Sequence, residues 1–394
     1  MSRKLRYLVV SDLHAFGEAL GANSPSSLSA LDSSTFPDQL FTRCAETVLE
    51  SFDGIEAILV AGDMVDKADA TALPFVWQKL QLLGSLLSAP VIATAGNHDM
   101  DSQGIYSPTP NEALINLEPP FPSGSIADRA SYFAEQHAVI TTENSVIVTV
   151  NTSAHHGLMH AGTPESNHGR FTSSLPHWVR RNLLQHPGLP ETKLVLAHHH
   201  PLQLPDIDTK ETSATVGSED MMRMLAEFGD WIIVHGHKHR GWVHYGFGGG
   251  DAPVVFSSSS FSANLGEEEF GRLVQRQFHV LEVHDPKGPT GLVYSWNHDG
   301  SIWRPAGSQH MLSGVSGFGW RTSLDQVTET VREALRSTSV LDRSEIDALL
   351  PHAKYLTFDD RRRLLIRLES GVPEIGHTLS ESGEIDELHI RARI

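Results

Sequence analysis

Three apolar, largely β-branched runs near the amino terminus, Tyr7-Leu8-Val9-Val10, Ile55 to Ala61 and Val91 to Thr94, each lead straight into a polar cluster. Short apolar runs bounded by polar or glycine-containing turns read as buried strands. Between them lie helical patterns. Leu40, Phe41, Cys44, Val48, Leu49 and Phe52 recur at helical spacing up to Asp53-Gly54, and apolar residues from Leu73 to Leu87 are closed by Pro90. The order strand, helix, strand, helix, strand predicts parallel strands with right-handed crossovers, which align the carboxyl ends of the strands on one edge. The polar clusters at those ends therefore meet at that edge.

The three clusters are Asp12-Leu13-His14, Gly62-Asp63-Met64-Val65-Asp66 and Gly96-Asn97-His98-Asp99. Two later runs, Leu194 to Ala197 and Trp231 to Val234, lead into His198-His199-His200-Pro201 and Gly236-His237-Lys238-His239. Carboxylates, imidazoles and one neutral amide are the donors that divalent ions take, and a pair of ions needs a carboxylate able to reach both. Asp63, after a glycine at a strand end, suits that place. The two-residue spacing of Asp12 and His14, and of His237 and His239, lets both side chains of an extended segment share a face. Cys44 is the only cysteine, so an internal disulfide, thiolate zinc and iron–sulfur sites are excluded.

A polar, Ser-rich stretch from Gly17 to Pro37 reads as a surface excursion beside this edge, and Met100 to Arg129 as a long loop over it. Val146 to Val150, Val254 to Phe256, Phe278 to Val283 and Leu292 to Trp296 predict further strands, with a hairpin turn at His298-Asp299-Gly300. Ser257 to Ser260 reads as an ordinary strand end and Gly246 to Gly250 as a flexible turn. From Ala306 to Gly319 the composition shifts to Gly and Ser, and helical stripes come after it: Val327, Val331, Leu335; Ile346, Leu349, Leu350; Leu364, Leu365, Leu368. The expected division is a catalytic domain over 1–305, a linker over 306–320 and a helical carboxy-terminal region over 321–394. The tail from Gly371 is expected to be partly disordered. The formal net charge of -18 disfavours tight, nonspecific nucleic-acid binding. No apolar run is long enough for a transmembrane helix, and the run before Asp12 is too short for a signal peptide. A cytoplasmic location is expected.

In this order the clusters D-x-H, G-D-x-x-D, G-N-H-D, H-x-P and G-H-x-H resemble the calcineurin-like metallophosphoesterase superfamily, over roughly Leu5 to Trp303. The layout is similar to its bacterial cyclic-nucleotide phosphodiesterase-type members. The resemblance implies an α/β four-layer sandwich, with two mixed β-sheets packed face to face and flanked by helices. It also implies two divalent or transition metal ions, manganese, iron or zinc. Carried over by motif, Asp12, His14 and His239 would bind the first ion, Asp63 would bridge, and Asn97, His199 and His237 would bind the second. The H-x-P spacing selects His199, with His198 as the alternative. His98 would stand near the leaving group, oriented by Asp66. The implied activity is hydrolysis of a phosphodiester, of a small nucleotide-like substrate, by a metal-bound hydroxide.

Rival readings are a Mre11-like DNA nuclease, a phosphomonoesterase, a nucleotide pyrophosphatase, or the catalytic subunit of an assembly recruited through the carboxy-terminal helices. Those helical stripes could equally pack on the catalytic domain. Secondary candidates for the pocket are His155, His156, His160, His168, Arg170 and Phe16.

Overall fold

The computed structural model describes residues 4–160, 163–166, 168–186, 188–203, 214–247, 252–264, 275–307 and 312–391. The first three strands are β1 (Leu5–Val10), β2 (Ala57–Val60) and β3 (Val91–Ala93). They pair in parallel, linked by helices Phe36–Ser51 and Ala72–Leu87. Next come β4 (His137–Thr141), β5 (Ser145–Val150), a small hairpin of β6 (Met159–His160) and β7 (Thr163–Pro164), then β8 (Thr192–Leu196), β9 (Ile232–His235), β10 (Trp242–Tyr245) and β11 (Val254–Ser257). The last strands of this part are β12 (Gln277–Asp285), β13 (Thr290–His298), β14 (Trp303–Pro305) and β15 (Val315–Phe318). One sheet runs β14-β13-β12-β1-β2-β3, with β15 also on β13; the other runs β10-β11-β9-β8-β5-β4. Both mix parallel and antiparallel pairs.

Alternation along the strands sorts side chains between layers. Leu5, Tyr7 and Val9 of β1 and Leu59 of β2 face Leu194, Leu196, Val234 and Phe256 of the other sheet. Leu8, Val10, Ile58 and Val60 point the other way, onto Phe41, Val48, Trp77 and Leu80 of the first two helices. On the second sheet Val146, Val148, Val195 and Ile233 pack outward on helices Leu175–Leu184 and Ser218–Ala226. A strand buried on both faces has no polar side to alternate with, which is why these runs are continuously apolar. The result is the expected four-layer sandwich of two sheets flanked by helices. Among the described residues no helix is long and apolar enough to cross a membrane.

Several local readings change. Met100 to Arg129 is not all loop: helix Glu112–Ile115 lies within it and helix Ile126–Glu135 starts before its end. The Gly17–Pro37 excursion is anchored inward, since Ser26, Leu28 and Ser29 are fully buried. The segment expected as a linker contributes β15, which pairs with β13 from Gly291↔Phe318 to Tyr294↔Val315; residues 308–311 lie outside the described residues. Gly317 permits the close approach of the Lys354–Tyr355 turn to β15, because a Cβ there would stand 2.1 Å from the Lys354 carbonyl.

The carboxy-terminal region holds helices Leu324–Ser337, Arg343–Leu349 and Phe358–Glu369, but also a small sheet of β16 (Val340–Asp342), β17 (Ile375–Leu379) and β18 (Ile385–Ile390), ordered β16-β18-β17. The tail expected to be partly disordered supplies β17 and β18. The helical stripes close on one another: Val327, Val331, Leu335, Ile346, Leu364 and Leu368 form their own core with Ile375 and Leu388. The attachment to the sandwich combines Phe358, packed on the core between the sheets, with a set of hydrogen bonds. Trp242 Nε1 donates to Asp359 Oδ2 at 2.6 Å, Gly319 N to Tyr245 Oη at 2.9 Å and Gly317 N to the Leu356 carbonyl at 3.1 Å. The Tyr355 hydroxyl lies 2.8 Å from His284 Nδ1. Removing the chain from residue 324 onward should therefore leave a folded sandwich that melts about 4 °C or more lower, the scale of about 1–2 kcal/mol of lost contacts. Thermal circular dichroism checks this, and failure of the shortened protein to fold would show that the two parts form one cooperative unit.

Candidate metal centre

The clusters do sit together at the carboxyl edge, but not on extended backbone. Asp12 (φ 52), His14 (φ 47), Asp63 (φ 51), His237 (φ 77) and His239 (φ 52) all lie in the left-handed region. The expectation that Asp12 and His14 share a face of an extended segment is thus corrected: alternating left-handed turns aim them. Non-glycine residues there cost about 1–3 kcal/mol each and persist only when their surroundings determine them. The surroundings are visible. Parallel pairing of β1 with β2 continues past the strand ends, with Asp12 N donating to the Gly62 carbonyl and His14 N to the Asp63 carbonyl, both at 3.0 Å.

Glycines let the turns close up. A Cβ on Gly96 would stand 2.1 Å from Asp63 Oδ1, and one on Gly236 would stand 2.6 Å from Asp12 Oδ2. Asp99, the last residue of its cluster, braces the assembly from below. Its buried carboxylate accepts from Val65 N at 3.1 Å and Gly96 N at 2.8 Å, tying the second cluster to the third. Sequence reasoning gave Asp99 no role.

Three sets of donor atoms converge. Asp12, His14 and His239 each offer one ligand atom within 4.8 Å of the others, as do Asp63, His198 and His237, and His14, Asp63 and His98. Asn97 Oδ1 lies 3.1 Å from His198 Nε2 and 3.0 Å from His237 Nδ1. Asp63 and His14 link the sets. The donors fit divalent ions: His14 Nε2 and His237 Nε2 are buried with no hydrogen-bond partner among the described residues, and two buried carboxylates stand close enough to repel. Burial and, after the opposing pull of His198, the Asp63 charge push the Asp12 pKa up to about 6. Burial also opposes ionisation of Asp63, but His198, His98 and His14 hold it well below the carboxylate range.

His199 is not in these sets. Its Nδ1 pairs with Thr152 Oγ1 at 2.9 Å, and its Nε2 is buried without a hydrogen-bond partner among the described residues. His198 is the residue whose Nε2 lies 3.2 Å from Asp63 Oδ2. Its Nδ1 donates to the Ala61 carbonyl at 2.7 Å, which orients the ring and turns Nε2 toward the site. The physical reason is strand parity. β8 ends at Leu196, whose side chain points between the sheets with Leu194, and His198 continues that face.

His98 and Asp66 are in contact. His98 N donates to Asp63 Oδ1 at 2.8 Å and its Nδ1 lies 3.1 Å from Asp66 Oδ1. Burial lowers the His98 pKa, but the Asp63 charge and the Asp66 bond outweigh it and push it up to about 9. Cations on Asp63 would cancel part of that rise, while the Asp66 bond would remain. The His98 side chain is 32% exposed, against 4% for His14 and 5% for His239. His98 is thus more exposed than either, and with His237 it is one of the partly buried imidazoles of the centre.

The secondary candidates divide. His156 packs edge-on to His199 with ring centroids 5.3 Å apart, and its Nε2 pairs with the His168 carbonyl. His168 pairs with Glu165, and Arg170 N donates to the Thr152 carbonyl. His155 Nε2 lies 3.4 Å from Gln136 Nε2, and His160 lies on β6. Phe16 is buried and offers no open stacking face. The Gly246–Gly250 turn lies largely outside the described residues.

The chain belongs to the calcineurin-like phosphoesterase family, which matches residues 5–241. That family supports a metal-dependent phosphoester hydrolase, and together with the donor sets it suggests a binuclear site. Solved structures with a similar fold include a dimetal phosphatase from Danio rerio (10% identity, 74% of this chain and 95% of that chain covered, TM-score 0.47). A 5'-nucleotidase precursor from Thermus thermophilus is 13% identical, with 73% of this chain and 52% of that chain covered and a TM-score of 0.37. Phosphopantetheinyl hydrolase from Mycobacterium tuberculosis is 14% identical, with 65% and 90% covered and a TM-score of 0.33. No curated protein matches the sequence significantly.

The close approach of Gly96 to Asp63 yields a prediction. Gly96→Ala places a methyl group 2.1 Å from Asp63 Oδ1 and 2.3 Å from Asp63 N, which cannot be relieved without moving that residue. The variant should lose about 1–3 kcal/mol of stability, the scale of core overpacking, and bind less metal. Denaturant unfolding and elemental analysis read the two effects separately; a normal metal content would show that Asp63 tolerates displacement.

Proposed function

We propose that the chain is a binuclear metal-dependent phosphodiesterase acting on a small, nucleotide-like substrate. Asp12, His14 and His239 would hold one ion, Asn97, His198 and His237 would hold the other, and Asp63 would serve both. His198 replaces His199 in this reading because its Nε2 joins Asp63 and Asn97. Two ions of the manganese, iron or zinc type, when bound, neutralise charge on the phosphoryl oxygens and lower the pKa of an attacking water. Asn97, as a neutral oxygen donor, keeps the centre from repelling an anionic phosphoryl group.

His98 does the proton work. The Asp66 carboxylate on Nδ1 leaves Nε2 to carry a proton to the departing alkoxide, and the His98 N–H bond to Asp63 Oδ1 fixes its distance from the ions. This is the observation that carries the reading: a partly exposed imidazole, backed by a carboxylate, directly beside the shared ligand. An alkoxide released from a diester is a poor leaving group and needs that proton. The net charge of -18 favours a small substrate over a nucleic-acid backbone.

A hydrolysis panel with added manganese tests this. Cyclic nucleotides and aryl phosphodiesters should turn over faster than phosphomonoesters and duplex DNA; the reverse order would replace the reading with a phosphatase or a nuclease. Asp63→Ala should lose both ions and activity, and full metal content in that variant would remove the bridging role. His98→Ala should keep its metals and slow by about 10²–10⁴-fold. The loss should be smaller on a nitrophenyl diester than on an alkyl one, since an acidic leaving group needs less protonation. Equal losses on both would exclude His98 as the proton donor.

A further inference from the structure

The serines after β11 do more than end a strand. Past Ser257 the chain crosses from the second sheet to the first and runs alongside the Asp12–His14 turn. Ser260 Oγ donates to the Asp12 carbonyl at 2.7 Å and accepts from Ala263 N at 2.9 Å. Ser262 Oγ donates to the Leu13 carbonyl at 2.8 Å, and Ser26 Oγ, from the Gly17–Pro37 excursion, donates to the same oxygen at 2.7 Å. Phe261 N donates to the Ser11 carbonyl at 2.8 Å. Ser26, Ser260 and Ser262 are all fully buried. Three consecutive carbonyls are thus satisfied on one side of the turn, while Asp12 N and His14 N are satisfied on the other by Gly62 and Asp63.

A buried carbonyl left without a donor keeps its full desolvation penalty. Any relaxation of Asp12 or His14 out of the left-handed region would rotate the flanking peptides and break these bonds. We propose that Ser260, Ser262 and Ser26 are positioning residues for the metal centre: they lock the left-handed backbone that brings the Asp12 and His14 side chains to His239. The clamp rests on the reading of Asp12 and His14 as ligands, and it makes the second sheet, through the segment after β11, a determinant of metal affinity on the first.

The test is manganese titration calorimetry on the metal-free, full-length protein, with the melting temperature of the same metal-free samples. Ser260→Ala should weaken one of the two binding events by about 10–100-fold, the range for outer partners of metal ligands, and leave the other unchanged. Ser26→Ala and Ser262→Ala should each have little effect, because the Leu13 carbonyl keeps one donor; the double variant should match Ser260→Ala. A role confined to folding would lower the melting temperature and leave both binding events as in the parent, which overturns the proposal. If Ser260→Ala does not fold, the Ser26 and Ser262 series decides, since the singles retain a donor: additive small effects or none in the double variant overturn the clamp. Asp12→Ala separates the two claims. If it keeps both binding events, the ligand reading fails; if it loses one while the serine variants bind normally, only the clamp fails.

Discussion

A carboxylate at 1% exposure sits at the middle of this molecule's site, and the rest of the edge is arranged around it. Burying a charge without compensation costs many kcal/mol, so Asp63 can stay ionised there only among donors and cations. The protein supplies the His98 N–H, the His198 ring at 3.2 Å and the His14 ring at 3.7 Å. Those same rings belong to the donor sets. The compensation that lets Asp63 be buried is therefore the reason that the first, second, third and fourth clusters must meet.

Holding them there takes unusual backbone. Five donor residues adopt left-handed φ values, each at a cost comparable to a large fraction of a domain's net stability when summed. Three features offset it. Parallel pairing carries on beyond β1 and β2, Asp99 ties two of the turns, and serine hydroxyls occupy the carbonyls of the first. The apolar layer between the sheets supplies the bulk driving force for burial, and the strained turns at the sheet edge draw on it.

The carboxy-terminal region is built on a different principle. Its helices and small sheet enclose their own core, and it meets the sandwich through hydrogen bonds and the edge strand β15. Arg361 is the joint. Its buried guanidinium, pulled down to a pKa of about 10 by burial, donates to the Val315 carbonyl at 3.1 Å and to the Gly383 carbonyl at 2.5 Å. One side chain thus spans β15 of the sandwich and the β17–β18 turn of the appended region. A dense charged run, Asp359 to Arg363, reads in sequence as a solvated helix face, yet Asp359 and Arg361 from it face inward onto Trp242 and these carbonyls.

The apolar runs and the polar clusters behind them were legible because a doubly buried strand must be continuously apolar and a strand end must present its next residues to the sheet rim. That logic reaches Asp12, His14, Asp63, Asn97, His98, His237 and His239, which the structure gathers at one edge. It does not reach the choice among three adjacent histidines. Spacing to Pro201 points to His199, whereas the parity of β8 and the Ala61 carbonyl turn His198 to Asp63. Nor does it reach Ser26, Ser260 and Ser262, whose hydroxyls look like loop polarity until the fold sets them against Asp12 and Leu13. Local sequence carries periodicity and residue chemistry, so it determined the order of strands and helices and the donor types, while the layered sandwich was implied by the family resemblance. Which donor turns inward, and which distant hydroxyl holds it there, depends on contacts between residues some 250 positions apart, as between Asp12 and Ser260, and only the packed tertiary structure decides those.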